Sequence, residues 1–72
     1  MIEIAPRSNY EMTVDEAFLY CITLQYNGYN DWRLPTAFEY GYYAGLSFSW
    51  YTDRDQFELG FNWAAIPVRD IK

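Results

Sequence analysis

The 72-residue chain predicts an α+β domain in which two helices pack on one face of a small, mostly antiparallel sheet. Three features predict it. Two Thr-x-x-Glu capping boxes, "TVDE" and "TAFE", open helical stretches; period-two alternation replaces helical spacing after Gly45; and short strand-like runs stand near both ends. At this length a single domain spanning residues 1–72 is expected, burying roughly 60% of the surface that the unfolded chain exposes.

Taken in order, "IEIA" (residues 2–5) alternates Ile2 and Ile4 with Glu3 and is closed by Pro6, which reads as a short strand ended by a breaker. Thr13 places Glu16 three residues on, so that each side chain can satisfy a backbone N–H of the other. Val14, Ala17, Phe18, Cys21, Ile22 and Gln25 then fall at helical spacing, which predicts a helix over 14–25. Asn27-Gly28 is expected to stop it, because glycine accepts the left-handed conformation that ends helices.

"TAFE" repeats the capping box with Thr36 and Glu39, directly after Pro35. The helix it starts, running to Ala44, is short, and Gly41 and Gly45 each weaken it by about 1 kcal/mol relative to alanine. "LSFSWYTD" and "QFELGFNW" alternate, with Phe48, Trp50 and Thr52 on one side of the first and Phe57, Leu59, Phe61 and Trp63 on one side of the second. The polar "DRD" between them completes a predicted hairpin. Ile66 and Val68 mark a last strand, in which Pro67 requires its position to face no neighbour or the strand to lie at an edge.

Composition narrows the function. A chain that is 51% hydrophobic and 22% aromatic is a folded one. The lone Cys21 cannot form an internal disulfide, and without histidine it has no partner for a zinc site or a catalytic dyad. The fold must stand on apolar packing, and at this size burial and chain entropy nearly cancel, so a homo-oligomer or a partner is expected to add stability. Net charge is −5, and only Arg7, Arg33, Arg54, Arg69 and Lys72 could meet phosphate. Nucleic acid is therefore not expected as a partner, and the evenly spread carboxylates argue against imitation of DNA. "MIEIAPRSNYEM" lacks a basic region followed by an apolar stretch, and no window reaches the about 18 apolar residues of a span. No membrane contact and a cytoplasmic location are expected.

"GYNDWRLPTAFEY" (residues 28–40) resembles the signature, G-Y-x-D-W-R-L-P-T-x-x-E, of an uncharacterised bacterial and phage domain family, best known as the C-terminal domain of a collagen-like adhesin. The order of parts is similar as well: a helix before the motif, a short helix after it, a Trp-rich strand ("SWYTD") and a closing strand with a V-R pair ("IPVRD"). The resemblance covers residues 13–72. It implies a minimal version of the C-type-lectin-like fold shared with formylglycine-generating enzymes, a scaffold that displays binding surfaces. Family members carry longer loops ahead of the final strand, whereas this chain has only "RDQFELGFNWAA" there. The lectin calcium motifs E-P-N and W-N-D and the paired cysteines of the oxidising enzymes are absent, so neither calcium-dependent sugar binding nor that enzyme activity is implied.

Within the motif, Trp32 is expected to anchor the core and Pro35-Thr36 to set the second helix. Arg33, between Trp32 and Leu34, needs a carboxylate or carbonyl partner, and Asp31, Glu39 and Asp70 are the candidates for a structural tether. Asp53 and Asp55 around Arg54 lack the remaining oxygen ligands, glycine and terminal glutamate of a calcium loop and read as a solvated turn, with no metal or other cofactor. Cys21 on the apolar face of the first helix reads as an inert hydrophobe. With no histidine and no recognisable carboxylate pair in a cleft, the chain is expected not to be an enzyme.

Eight tyrosines exceed what so small a core can hold. Tyr40 and Tyr43 share a helix face, and with Tyr42, Tyr29, Tyr51 and Arg54 they form the candidate binding surface, as aromatic anchors commonly do. Half-buried rim tyrosines are the plainer alternative. These readings point to a non-catalytic interaction protein, encoded by a phage or mobile element, that docks on a host protein in the host cytoplasm. An oligomeric binder of a nucleotide or sugar, with Arg33, Arg54 or Arg69 on any phosphate, and a minor structural virion component are the alternatives.

Overall fold

Thr13 and Thr36 each open a helix in the computed structural model, which describes residues 1–46, 48–52 and 62–71. Both threonines are extended, both accept from the amide three residues on, and both capping boxes close as the sequence predicts. Thr13 N donates to Glu16 Oε1 at 2.9 Å and Thr36 N to Glu39 Oε1 at 2.9 Å. The elements of the described residues are strand β1 (Ile2–Ile4), helix α1 (Val14–Thr23), helix α2 (Ala37–Tyr42), a 3₁₀ turn (Ala44–Leu46) and strand β2 (Val68–Asp70). The architecture is α+β.

α1 is shorter than its periodicity predicts. Leu24 is already extended, and the Thr23 hydroxyl bonds back to the Leu19 carbonyl at 2.7 Å, an alternative to continuing the helix. Asn27 and Gly28 do not stop the helix; they are the centre of a separate two-residue turn, with φ of 57° and 81°. Tyr26 and Tyr29 close it by exchanging backbone bonds of 3.0 Å in both directions. Two left-handed central residues match the twist of a hairpin, and Asn-Gly is the dipeptide that adopts them most readily. Pairing Tyr26 with Tyr29 demands extended backbone at 26, so the helix must end earlier.

β1 and β2 pair antiparallel, with Ile2 opposite Asp70, Glu3 opposite Arg69 and Ile4 opposite Val68. The pairing continues irregularly along both termini: Ala5 N donates to Pro67 O, Ser8 N to Ala65 O, and Met12 and Trp63 exchange bonds of 2.9 and 3.0 Å. On the other side of β2, Arg33 and Val68 exchange two backbone bonds of 2.8 Å. β2 therefore lies between β1 and the Arg33 backbone, not at an edge. Pro67 sits just ahead of it, where the missing N–H removes no bond from the Val68–Asp70 ladder.

The alternation predicted over Phe48, Trp50 and Thr52 does not form a strand. Phe48 has φ of 60° and is exposed, whereas Trp50 is buried. A left-handed residue reverses the local course of the chain, so period two is lost. Trp50 is instead drawn inward, its indole N–H on the Met12 carbonyl at 2.7 Å and its own amide on Ala64 O at 3.0 Å. The predicted turn at 53–55 and the strand through Phe57, Leu59 and Phe61 lie outside the described residues.

Two apolar clusters hold these parts together. Ala17 and Cys21 of α1 meet Met12, Leu34, Trp50 and Ala65 in one; Leu46, Ile66 and Val68 form the other, with Ile2, Tyr40 and Tyr43 packed against it. Adjacent residues Ala65 and Ile66 enter different clusters, so each helix covers its own cluster instead of sharing a sheet face as predicted. Of the helical face read from the sequence, only Ala17 and Cys21 are fully buried; Phe18, Ile22 and Gln25 are exposed. The small side chains of Ala17 and Cys21 let the helix lie close to the core along a narrow strip, too narrow to cover its neighbours.

Candidate functional site

The motif residues form the frame. Trp32 is buried, donates its indole N–H to Tyr29 O at 3.1 Å and meets the Tyr26 ring at 5.9 Å. Arg33 donates to Glu39 through Nη1 and Nη2, at 2.9 and 3.0 Å, and through Nη2 to Asp70 at 2.9 Å. Its hydrogen bonds to Glu39 and Asp70 raise the guanidinium's pKa. The same pairing, helped by the Thr36 amide, lowers the Glu39 carboxyl from its ordinary 4.5 to about 2. One guanidinium thus ties the start of α2 to β2, as the tether reading requires.

Asp31 is not part of that tether. It binds Arg69 instead, at 2.7 Å to Nε and 3.3 Å to Nη2, while Glu3 takes Arg69 Nη1 at 3.0 Å. Donating to the Asp31 carboxylate, and then to Glu3, raises the Arg69 pKa. The Tyr29 ring lies over the guanidinium at 3.5 Å, and Asn27 reaches the other Glu3 oxygen at 2.9 Å. Proximity in sequence suggested Arg33 for Asp31. Asp31 and Arg33 instead meet adjacent residues of β2, Arg69 and Asp70, whose side chains point to opposite sides of that strand, so the two carry separate ion pairs. Arg69 is the structural residue that sequence reasoning missed; its signal was the apolar run from Ala64 to Val68 that precedes it.

The tyrosines divide. Tyr40 and Tyr43 do share a face, but that face packs on Leu46, Ile66 and Val68. The Tyr40 hydroxyl accepts from the Phe48 amide at 3.0 Å, and its ring lies 4.3 Å from that of Tyr51. These three are half-buried and belong to the rim of the core, the plainer of the two sequence readings. Tyr29 covers Arg69. Tyr42 is 70% exposed, and beside it stands Phe38, 78% exposed and absent from the sequence-derived surface. The two rings stack at 6.0 Å with 11° between planes, and Tyr43 meets Tyr42 edge-on at 4.9 Å. Their i, i+4 spacing was the available signal. Arg54 lies outside the described residues.

Phe38, Tyr42 and Tyr43 border an open pocket of about 490 Å³ that Ile2, Glu39 and Asp70 complete with Met1. A second hollow of about 290 Å³ lies between Tyr10 and α1. Burial pushes the Cys21 thiol up to about 12, which holds it protonated and unreactive. Among the described residues no group of three acidic or cysteine side chains is placed to hold a metal ion, and no helix is long and apolar enough to cross a membrane. What the geometry offers is contact area: stacked aromatic rings on a short, doubly anchored helix. No protein-family profile, curated protein or solved structure matches the chain.

Proposed function

We propose that the chain is a non-catalytic interaction protein whose docking surface is centred on Phe38 and Tyr42. The observation behind this reading is their stacking in the open, on a helix whose start is pinned by Arg33, Glu39 and the Thr36 cap. Large, rigid aromatic groups held in place before binding lose little entropy on contact, which is what interface anchors require. The "DWRLPT" resemblance and the order α1, motif, α2, Val68-Arg69 strand support a minimal C-type-lectin-like display scaffold, encoded by a phage or mobile element and directed at a host protein in the host cytoplasm. Self-association through the same rings is part of the reading, because two copies would cover each other's exposed aromatic area. The test is capture from bacterial lysate and size-exclusion chromatography with the chain and its Phe38→Ser/Tyr42→Ser variant. A variant that stays folded yet loses capture and self-association supports the proposal; one that retains both overturns it.

The pocket favours a second reading, a small-molecule binder, since its volume falls within the roughly 300–1,000 Å³ common for ligand sites. A phosphate-bearing ligand fits it less well, because Arg33 and Arg69 already hold carboxylates. Thermal-shift screening with nucleotides and sugars separates this reading from the first.

A further inference from the structure

α1 is apolar on two sides, and the fold covers only one. Ala17 and Cys21 point into the core, while Leu19 and Ile22 remain 58% and 63% exposed, with Phe18 beside them. Ile22 is four residues from Phe18 and three from Leu19, so the three form one stripe on the outer side of the helix. A helix that is apolar on its solvent side is ordinarily covered by another element. The hollow between Tyr10, Glu16, Leu19, Tyr20 and Thr23 borders the stripe and gives it relief.

Charge indicates what kind of element would cover it. Asp15 stands one turn ahead of Phe18 and Leu19 on the same stripe, Glu16 lines the hollow, and Glu11 is exposed just before the helix. From residue 8 to residue 32 the chain contains Glu11, Asp15, Glu16 and Asp31 and no lysine or arginine at all. The nearest cations in sequence are engaged elsewhere: Arg7 reaches the Phe48 carbonyl and Arg33 the Glu39 and Asp70 carboxylates. An apolar strip fringed by one sign of charge repels a second copy of itself and an anionic bilayer alike, and favours a partner of opposite fringe.

We propose that the outer face of α1, formed by Phe18, Leu19 and Ile22 with the Asp15 and Glu16 carboxylates beside them, docks a basic amphipathic helix of another protein. The apolar side chains of that helix would lie along the stripe and its lysine or arginine groups would reach the carboxylates. This face is separate from the Phe38–Tyr42 surface and does not depend on it.

The experiment uses the full chain, labelled with ¹⁵N, and three synthetic helical peptides: leucines at i, i+3, i+4 spacing among lysines, the same leucines among glutamates, and the lysines with alanine in place of leucine. The leucine–lysine peptide should shift the amide resonances of Asp15, Phe18, Leu19 and Ile22 saturably, and the other two should not. Leu19→Gln/Ile22→Gln should weaken binding about tenfold or more, the loss of two aliphatic anchors, with the circular dichroism spectrum unchanged. Asp15→Asn should weaken it less and reduce its salt dependence. The proposal is overturned by equal binding of the leucine–glutamate peptide, by shifts confined to Phe38 and Tyr42, or by undiminished affinity of the Leu19/Ile22 variant. Sedimentation showing a dimer that the Leu19/Ile22 variant abolishes also overturns it, because the occupant would then be a second copy.

Discussion

Arg33 and Glu39 meet in a two-point ion pair, 2.9 Å from Nη1 to Oε1 and 3.0 Å from Nη2 to Oε2, and the same Oε1 accepts the Thr36 amide at 2.9 Å. A single carboxylate thereby completes a helix cap and fixes the guanidinium that reaches across to Asp70 on β2. Arg33→Ala should cost on the order of 2 kcal/mol, because it strips a partner from the mostly buried Glu39 while half-exposed groups are screened by water. Arg33→Lys should recover only part of that, since an ammonium cannot form the fork. Urea unfolding of the three proteins measures this, and an unchanged midpoint for Arg33→Ala would refute the tether.

The same pair sets a dependence on pH. The folded Glu39 carboxyl titrates near 2, against an ordinary value of 4.5. Its contribution is therefore fully present above about pH 4.5 and is lost as pH falls toward about 2, on the order of 1–2 kcal/mol once solvent screening is allowed for. Melting temperatures of the wild type and Glu39→Gln should differ at pH 7 and converge near pH 2. Parallel curves over that window would show that Glu39 is not the group involved.

Trp32 and the α2 rings should respond in opposite ways. Trp32→Ala removes a buried indole and its bond to Tyr29, costing about 3–5 kcal/mol, enough to unfold so small a domain. Phe38→Ser/Tyr42→Ser removes exposed rings and should leave the near-ultraviolet circular dichroism of the core intact. A Trp32→Ala protein with a native spectrum would mean that the motif is not the frame.

Tyr40 belongs with the frame. Its hydroxyl accepts from the Phe48 amide, so Tyr40→Phe should cost about 1 kcal/mol, and Tyr40→Ser more, through the lost packing on Leu46, Ile66 and Val68. Chemical denaturation followed by tryptophan fluorescence checks the order. Equal stability of Tyr40→Ser and the wild type would return Tyr40 to the docking surface.

Association should show in the melt. If exposed rings on α2 pair two copies, the melting temperature rises with protein concentration in the wild type and not in Phe38→Ser/Tyr42→Ser. A concentration-independent melt for both, with a monomer by light scattering, removes self-association.

Local chemistry was legible in the sequence wherever its cause is local. Thr13 with Glu16 and Thr36 with Glu39 close their boxes because each satisfies its own helix end within four residues, and Ile2 to Ile4 reads as a strand from its own alternation. Even Arg33's need for carboxylates follows from its apolar neighbours, and two of its three candidates hold it. What only the tertiary structure decided is which of several equally good local options the rest of the chain selects. Asn27-Gly28 suits a helix stop and a hairpin turn alike, and in the fold the Asn27 side chain is held in the turn by Glu3 of β1, 24 residues away in sequence. Phe48 and Trp50 alternate correctly for a strand, yet Trp50 is held by Met12, 38 residues away in sequence, and the backbone turns through Phe48 to allow it. Asp31 went to Arg69, also 38 residues distant. The sorting of tyrosines into rim and surface depended on where Ile66 and Val68 came to lie. Pattern reports what a segment can do by itself; burial is a property of two segments together, and a domain this small has so little interior that one long-range contact redirects its neighbours.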